Sequence, residues 1–248
     1  HHLMRMLPEQ GQVIYPAGYP NIETVLQRGC WSERRTFGSG TDYQADLQYL
    51  PQIADFSRFE VHSHGERMGS VHWSLIGEHN AANAVAAIAA ATRAGVPAAT
   101  AITALGQFKG VKRRLELRAE VNGVRVYDDF AHHPTAIRAT LDGLRERAGE
   151  ERIVVVFEPR SNTMRLGVHQ ATLGAAFVRA DQLWVYTAED LDWDIHSIDT
   201  GIDTRFEAEI DSIVDAVSQQ SRPGDHILIM SNGGFGGVHD KLIEALEH

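Results

Sequence analysis

Four ionisable side chains stand within six residues in the stretch Val124-Arg-Val-Tyr-Asp-Asp-Phe-Ala-His-His-Pro-Thr135, namely Asp128, Asp129, His132 and His133. Paired carboxylates beside paired imidazoles suit proton transfer, or the positioning of a charged ligand. Turn and cap hydrogen bonds are the competing reading of the same residues. Two further stretches carry the same kind of content. Glu158-Pro-Arg-Ser-Asn-Thr-Met164 offers a carboxylate, a guanidinium and polar side chains, including Arg160, Ser161 and Asn162. Ser231-Asn-Gly-Gly-Phe-Gly-Gly237, with Asn232, Gly233 and Gly234, would let backbone amides approach an anion near a helix start. Its spacing is not that of a dinucleotide fingerprint, and a plain turn is the alternative.

Upstream, Gly77-Glu-His-Asn-Ala-Ala-Asn83 opens an alanine-rich run. His79, Asn80 and Asn83 share a helix face there, and asparagine is disfavoured inside helices. A carboxamide pairs a donor with an acceptor, as an adenine edge does, although helix capping accounts for asparagine equally well. Lys109, Lys112, Arg113 and Arg114 form a basic cluster, read either as a solvated linker or as a phosphate grip. His62 and His64, two apart on an expected strand, lack a third metal ligand at matching spacing. Cys30 beside Trp31 reads as a packed thiol.

The elements that would position these groups follow from periodicity. Residues 1 to about 76 read as mixed and strand-rich. Val13 to Tyr15 is a short apolar run, and Ile22 to Arg28 a helix stopped by Gly29. Tyr43 to Leu50 looks like a strand, and two strands flank His64-Gly-Glu-Arg67 as a hairpin. Ala84 to Gly95 is a helix, with a second from Ala98 to about Phe108. Asn122-Gly123 predicts a type I′ hairpin between Leu115 to Val121 and Val124 to Tyr127. Pro134 suits the first turn of a helix carrying Ile137, Leu141 and Leu144. Apolar runs at Ile153 to Phe157, Gln182 to Tyr186 and His226 to Met230 predict strands covered on both faces. Helices are expected at about 168–178, 207–218 and from 238. This alternation predicts an α/β fold with a doubly wound, mostly parallel, Rossmann-like sheet, whose strand tips bear the candidate loops.

The bulk numbers agree with that class. A chain of 248 residues with 43% hydrophobic and 23% charged residues suits two unequal globular domains. A net charge of −10 argues against general nucleic-acid binding. The single cysteine excludes an intrachain disulfide and fits a reducing compartment. With neither a membrane-length apolar run nor a signal peptide, a cytoplasmic location and no membrane partner are expected.

Taken together, these motifs resemble the Mur ligases, ADP-forming enzymes that assemble peptidoglycan precursors. Gly77 to Asn83 is similar to the adenine-contacting end of the family's central ATPase domain. Phe108-Lys-Gly-Val-Lys-Arg-Arg-Leu-Glu116 resembles the lead-in to its carboxy-terminal domain. Tyr127-Asp-Asp-Phe-Ala-His-His-Pro134 resembles the nucleotide-facing loop of the branch acting on UDP-N-acetylmuramate. The Glu158 and Ser231 loops point, within that branch, to members that take the tripeptide L-alanyl-γ-D-glutamyl-meso-diaminopimelate in peptidoglycan recycling. The resemblance therefore implies that residues 1–108 are the incomplete end of an α/β ATPase domain and 109–248 a carboxy-terminal domain.

It further implies ATP and Mg²⁺, both held mainly by a part of the family's chain outside these residues, and amide formation through an acyl phosphate. Asn80 and Asn83 would hold adenine, supported by His79. Asp129 would meet the ribose hydroxyls, and Arg114 the phosphates. Asp128, His132 and His133 would line the reacting centre. Arg160, Ser161, Asn162 and the Asn232-Gly-Gly234 turn would take the peptide. The chain departs from the family in two respects. It contains no Gly-x-x-x-x-Gly-Lys-Ser/Thr loop, and Tyr15-Pro-Ala-Gly18 lacks the expected Asn and Asp. A carboxy-terminal portion, inactive alone, is the resulting expectation. An L-alanine-adding relative and a noncatalytic peptide- or nucleotide-binding α/β module are the alternatives. A nicotinamide-dependent dehydrogenase is disfavoured by the misplaced glycines.

Overall fold

The computed structural model describes residues 1–40, 45–187 and 191–248. The chain divides into two compact units, His1–Lys109 and Gly110–His248. In the first, α1 (His2–Met6) and β1 (Gln12–Pro16) precede α2 (Pro20–Gln27). Then come β2 (Glu33–Ser39), β3 (Leu47–Pro51), β4 (Arg58–Ser63) and β5 (Glu66–His72). The strands pair in the order β1-β2-β3-β4-β5, parallel up to β3 and antiparallel beyond. The strand expected over 43–50 forms over Leu47–Pro51, while Tyr43 and Gln44 lie outside the described residues. β2 escapes periodicity because Glu33 to Arg35 are polar and only Phe37 and Gly38 are buried.

Helices α3 (Glu78–Arg93) and α4 (Ala98–Leu105) cover the first sheet. Ala81, Ala84, Val85, Ile88 and Ala89 form the buried stripe of α3, packed against Leu47, Phe59, Val61 and Val71. The β4–β5 turn places His64 at φ 48° and Gly65 at φ 83°, the left-handed pair of a type I′ turn. His64 is therefore in the turn while His62 remains on β4, paired with Glu60 at 3.0 Å, so the two do not share a strand face.

The second unit runs β6 (Glu116–Val121), β7 (Val124–Asp129), α5 (Pro134–Ala148) and β8 (Ile153–Phe157). It continues with α6 (Asn162–Arg165), α7 (Gln170–Leu173), β9 (Gln182–Tyr186) and β10 (Asp203–Glu207). It ends with α8 (Ile210–Gln220), β11 (His226–Met230) and α9 (Val238–Glu247). The strand order is β10-β9-β8-β11-β7-β6, parallel throughout except β6. The expected doubly wound sheet is thus present.

Pleating sorts its two cores. Val124, Val126, Val154, Val156, Ile227 and Ile229 pack with Ile213, Val217, Val238 and Leu242 of α8 and α9. Residues of opposite parity face the other way, where Phe157 meets Phe177 at 5.3 Å and α5 packs alongside. The helix expected over 168–178 breaks into α7 and a 3₁₀ turn, Gly174–Phe177. Gly174 packs so closely on the Asp199 carbonyl that no Cβ fits there. β10 was not foreseen, being a polar edge strand. No helix among the described residues is long and apolar enough to cross a membrane.

Candidate active site

Strands β8, β11 and β7 are immediate neighbours and run parallel, so the loops leaving their carboxyl ends emerge side by side. Ser231 N donates to the Asp129 carbonyl at 3.1 Å, and Glu158 N to the Met230 carbonyl at 3.0 Å. These bonds continue the ladder past the strand tips. The loops containing Asp128 to His133, Glu158 to Asn162 and Ser231 to Gly237 therefore share one edge.

β7 does not stop before its two carboxylates but runs through both. Strand alternation then separates them. Asp128 turns to the α9 side, where His239 Nε2 lies 3.1 Å away and Arg113 Nε and Arg118 Nη1 lie 3.3 and 3.5 Å away. Burial pushes its carboxyl up, but His239 and Arg113 outweigh that and hold it below the ordinary aspartate range.

Asp129 turns to the α5 side. It accepts from Leu115 N at 2.6 Å, Ala131 N at 2.7 Å and Thr140 Oγ1 at 3.4 Å. Burial raises its carboxyl above the ordinary range, although the Ala131 and Leu115 amides oppose the shift. The resemblance places Asp129 against ribose hydroxyls. Asp129 is 3% exposed, and its carboxylate accepts from amides of the flanking loops. Its geometry is that of a loop anchor.

What it anchors carries strain. Arg113 and Leu115 adopt φ 59° and 49°, left-handed conformations that are costly for side-chain-bearing residues. Glu116 accepts from Arg113 N at 2.8 Å, and Phe130 N donates to the Arg113 carbonyl at 2.9 Å. Arg114, between the two strained residues, is exposed, and its guanidinium carbon sits 5.5 Å from the Phe130 ring centroid.

His132 Nδ1 bonds the Phe130 carbonyl at 2.9 Å. A carbonyl only accepts, so Nδ1 carries the proton and Nε2 is left as the basic nitrogen. His133 is the N-cap of α5, its Nδ1 accepting from Thr135 N at 3.2 Å, with Pro134 in the first turn. Its ring centroid lies 4.4 Å from that of His169, whose pKa is lowered by burial and then by His133. The turn-and-cap reading thus describes His133 as a cap and the local bond of His132 to Phe130 as a turn contact.

On the neighbouring tips, Ser231 Oγ donates to Glu158 Oε2 and accepts from Gly233 N at 2.9 Å. Glu158 Oε1 lies 3.5 Å from Arg160 Nη1. Arg160 is exposed and lies across Gly233, where an added Cβ would come within 2.5 Å of its Cδ. Ser161 caps α6 through Met164 N, and Asn162 is exposed at the first position of that helix. Asn232 Oδ1 is buried with no partner among the described residues. Gly234 precedes the 3₁₀ turn Phe235–Gly237, which delivers α9 and His239.

In the first unit, Gly77 at φ 91° starts α3, so His79, Asn80 and Asn83 fall in its opening turns. Asn80 Nδ2 donates to the Ile76 carbonyl at 2.8 Å, which leaves its Oδ1 as an acceptor. Asn83 is exposed.

Sequence reasoning passed over Arg113, Arg118 and His239 as site residues. Arg113 stood in the basic cluster, undistinguished from its neighbours. Arg118 and His239 left no local signal, because Asp128 meets them through tertiary contacts.

Residues 1–91 match the Mur ligase middle domain, and residues 113–233 match the Mur ligase, glutamate ligase domain. The chain is 45% identical, over 99% of its length and 54% of the relative's, to the UDP-N-acetylmuramate–L-alanyl-γ-D-glutamyl-meso-2,6-diaminoheptandioate ligase of Escherichia coli. It is 42% identical to the protein of that name from Haemophilus influenzae, over 100% and 54%. The crystal structure of a murein peptide ligase from Psychrobacter arcticus superimposes with a TM-score of 0.74 at 38% identity, over 100% of this chain and 53% of that one. The chain spans about half the length of the curated relatives it matches.

Proposed function

This chain belongs to the Mur ligase family, and from that premise we propose that it is the part of an ADP-forming amide ligase that contributes side chains to nucleotide binding and presents the acceptor peptide. The donor is UDP-N-acetylmuramate and the acceptor L-alanyl-γ-D-glutamyl-meso-diaminopimelate, as in the names of the relatives above. The observation that carries the reading is the bonding of three loop tips to one another at the edge of β8, β11 and β7.

ATP supplies the phosphoryl group that activates the donor carboxylate as an acyl phosphate, with ADP leaving. The acceptor amine then attacks the acyl carbon, phosphate departs, and the amine proton passes to a base. His132 Nε2 is the basic nitrogen available for that proton. Arg114, exposed on Phe130, meets phosphate oxygens, and Asp129 holds the strained loop presenting it. Asp128 serves through Arg113, and His133 through the α5 cap. Asn80 and Asn83 take the adenine edge, with His79 beside them. Arg160, with Ser161, Asn162 and the Asn232-Gly-Gly234 turn, receives the peptide, guanidinium to carboxylate.

The fit to Mg²⁺ is different. Among the described residues no group of three or more His, Cys, Asp or Glu side chains is placed to hold a metal ion. Asp128 and Asp129 are committed to the contacts above, and the residues described do not fit the ion. We place residues 1–108 in the central domain, 109–248 in the carboxy-terminal domain, and the whole protein in the cytoplasm.

The test is a ligation assay on the full-length parent with UDP-N-acetylmuramate, ATP and either tripeptide or free L-alanine. Coupling of tripeptide in preference to alanine is expected. Use of alanine alone would assign the L-alanine-adding reaction, and peptide binding without ligation would leave a binding module.

A further inference from the structure

We propose that Arg113 is a positioning residue that sets the acceptor turn from the tip of β7. The proposal rests on the ligase reading for its substrate assignment. Arg113 Nη2 donates to the Ser231 carbonyl at 2.6 Å and to the Gly233 carbonyl at 2.8 Å. Its Nε sits 3.3 Å from Asp128 Oδ2. Two carbonyls of one turn therefore converge on one nitrogen, and a carboxylate fixes the plane of that nitrogen's guanidinium.

Two other polar groups of the turn, Gly233 N and Ser231 Oγ, connect it to the loop after β8. Gly233 N donates to Ser231 Oγ, Ser231 Oγ donates to Glu158, and Glu158 faces Arg160. A continuous polar chain thus leads from Asp128 through Arg113, the turn and Glu158 to Arg160. The Arg160 side chain fills the space a Cβ on Gly233 would take, so a shift of the turn moves the surface beside it.

Arginine is needed for geometric reasons. Its planar fork presents Nε to the carboxylate and Nη2 to the carbonyls at once, whereas a lysine ammonium has the charge on one atom only. The backbone is committed to the same end. Arg113 stays in its left-handed conformation because Glu116 and Phe130 hold its amide and carbonyl. Its side chain leans on the Phe130 ring with the guanidinium carbon 5.2 Å from the centroid. The residue therefore acts on the acceptor through the turn, without touching the reacting atoms.

The experiment uses the full-length parent with Arg113→Lys, Asp128→Asn and the double variant. Saturation curves are recorded separately for ATP, UDP-N-acetylmuramate and tripeptide, together with amide hydrogen exchange at Gly233. Arg113→Lys is expected to raise the tripeptide KM about tenfold while the ATP KM stays within about twofold. Gly233 exchange should quicken about tenfold, since its amide is protected only while the turn stays closed. Asp128→Asn should move both readouts the same way, and the double variant should be no worse than the more affected single one. The proposal is overturned if the KM values for all three substrates rise together, or if Gly233 exchange is unchanged. Asp128→Asn supplies the same readouts should Arg113→Lys fold poorly. A wild-type parent that ligates no tripeptide would sink the ligase reading, and Gly233 exchange would still decide whether Arg113 holds the turn.

Discussion

Asp128 and Asp129, neighbours in the chain, serve opposite faces of one sheet: the first is held by His239, Arg113 and Arg118, the second by the amides of Leu115 and Ala131. A pair that reads as one acidic site is two separate anchors. One steadies the turn after β11, and the other steadies the loop presenting Arg114.

Their titrations should therefore diverge from the shared reference of 3.8, Asp128 downward and Asp129 upward. The sign for stability follows. The Asp128 contribution is fully present above 3.8 and is lost as pH falls through its lower folded value. The Asp129 contribution is fully present below 3.8 and is lost as pH rises through its higher folded value. Carboxyl NMR on the folded protein checks the order. An Asp129 that titrates at or below Asp128 refutes it.

Gly233→Ala tests the seat of Arg160. The new Cβ would stand 2.5 Å from Arg160 Cδ, and the exposed, flexible side chain would swing aside. Stability should change by less than about 0.5 kcal/mol. In the full-length parent the tripeptide KM should rise roughly threefold to tenfold, with the ATP KM unmoved. Equal changes in both constants would count against the assignment of this turn to the peptide.

Gly123→Ala addresses the hairpin that sets β7. Gly123 has φ 80°, and an added Cβ would lie 3.1 Å from Pro223 Cβ. Left-handed backbone and crowding together should cost about 1–3 kcal/mol, read as a lower denaturant midpoint with unchanged slope. An unshifted midpoint would show that the turn relaxes freely.

The 248-residue chain contains no Gly-x-x-x-x-Gly-Lys-Ser/Thr loop. Alone, it should release no phosphate from ATP in the presence of UDP-N-acetylmuramate and tripeptide, while the full-length parent does so. Turnover by the 248-residue chain would mean that phosphate binding is supplied by residues described here.

The doubly wound sheet was legible because its buried strands are unbroken apolar runs and its helices carry 3.6-residue stripes, as β8, β11 and α5 illustrate. The Asn122-Gly123 turn was legible because few residues accept its backbone angles. Strand β10 was not, because a solvated edge needs no apolar signature. The break between α7 and the Gly174 turn was not either, since its cause is a distant carbonyl.

For the site, local spacing alone identified the loops, because strand tips and glycine turns are written in consecutive residues. The partners of each side chain were decided by the tertiary structure. Arg113 bonds residues 118 and 120 positions away, and such partners meet only after parallel strands stack in a non-sequential order. Strand pleating then settled which face each aspartate serves, because the sheet carries Val124, Val126 and Asp128 on one side and Asp129 on the other.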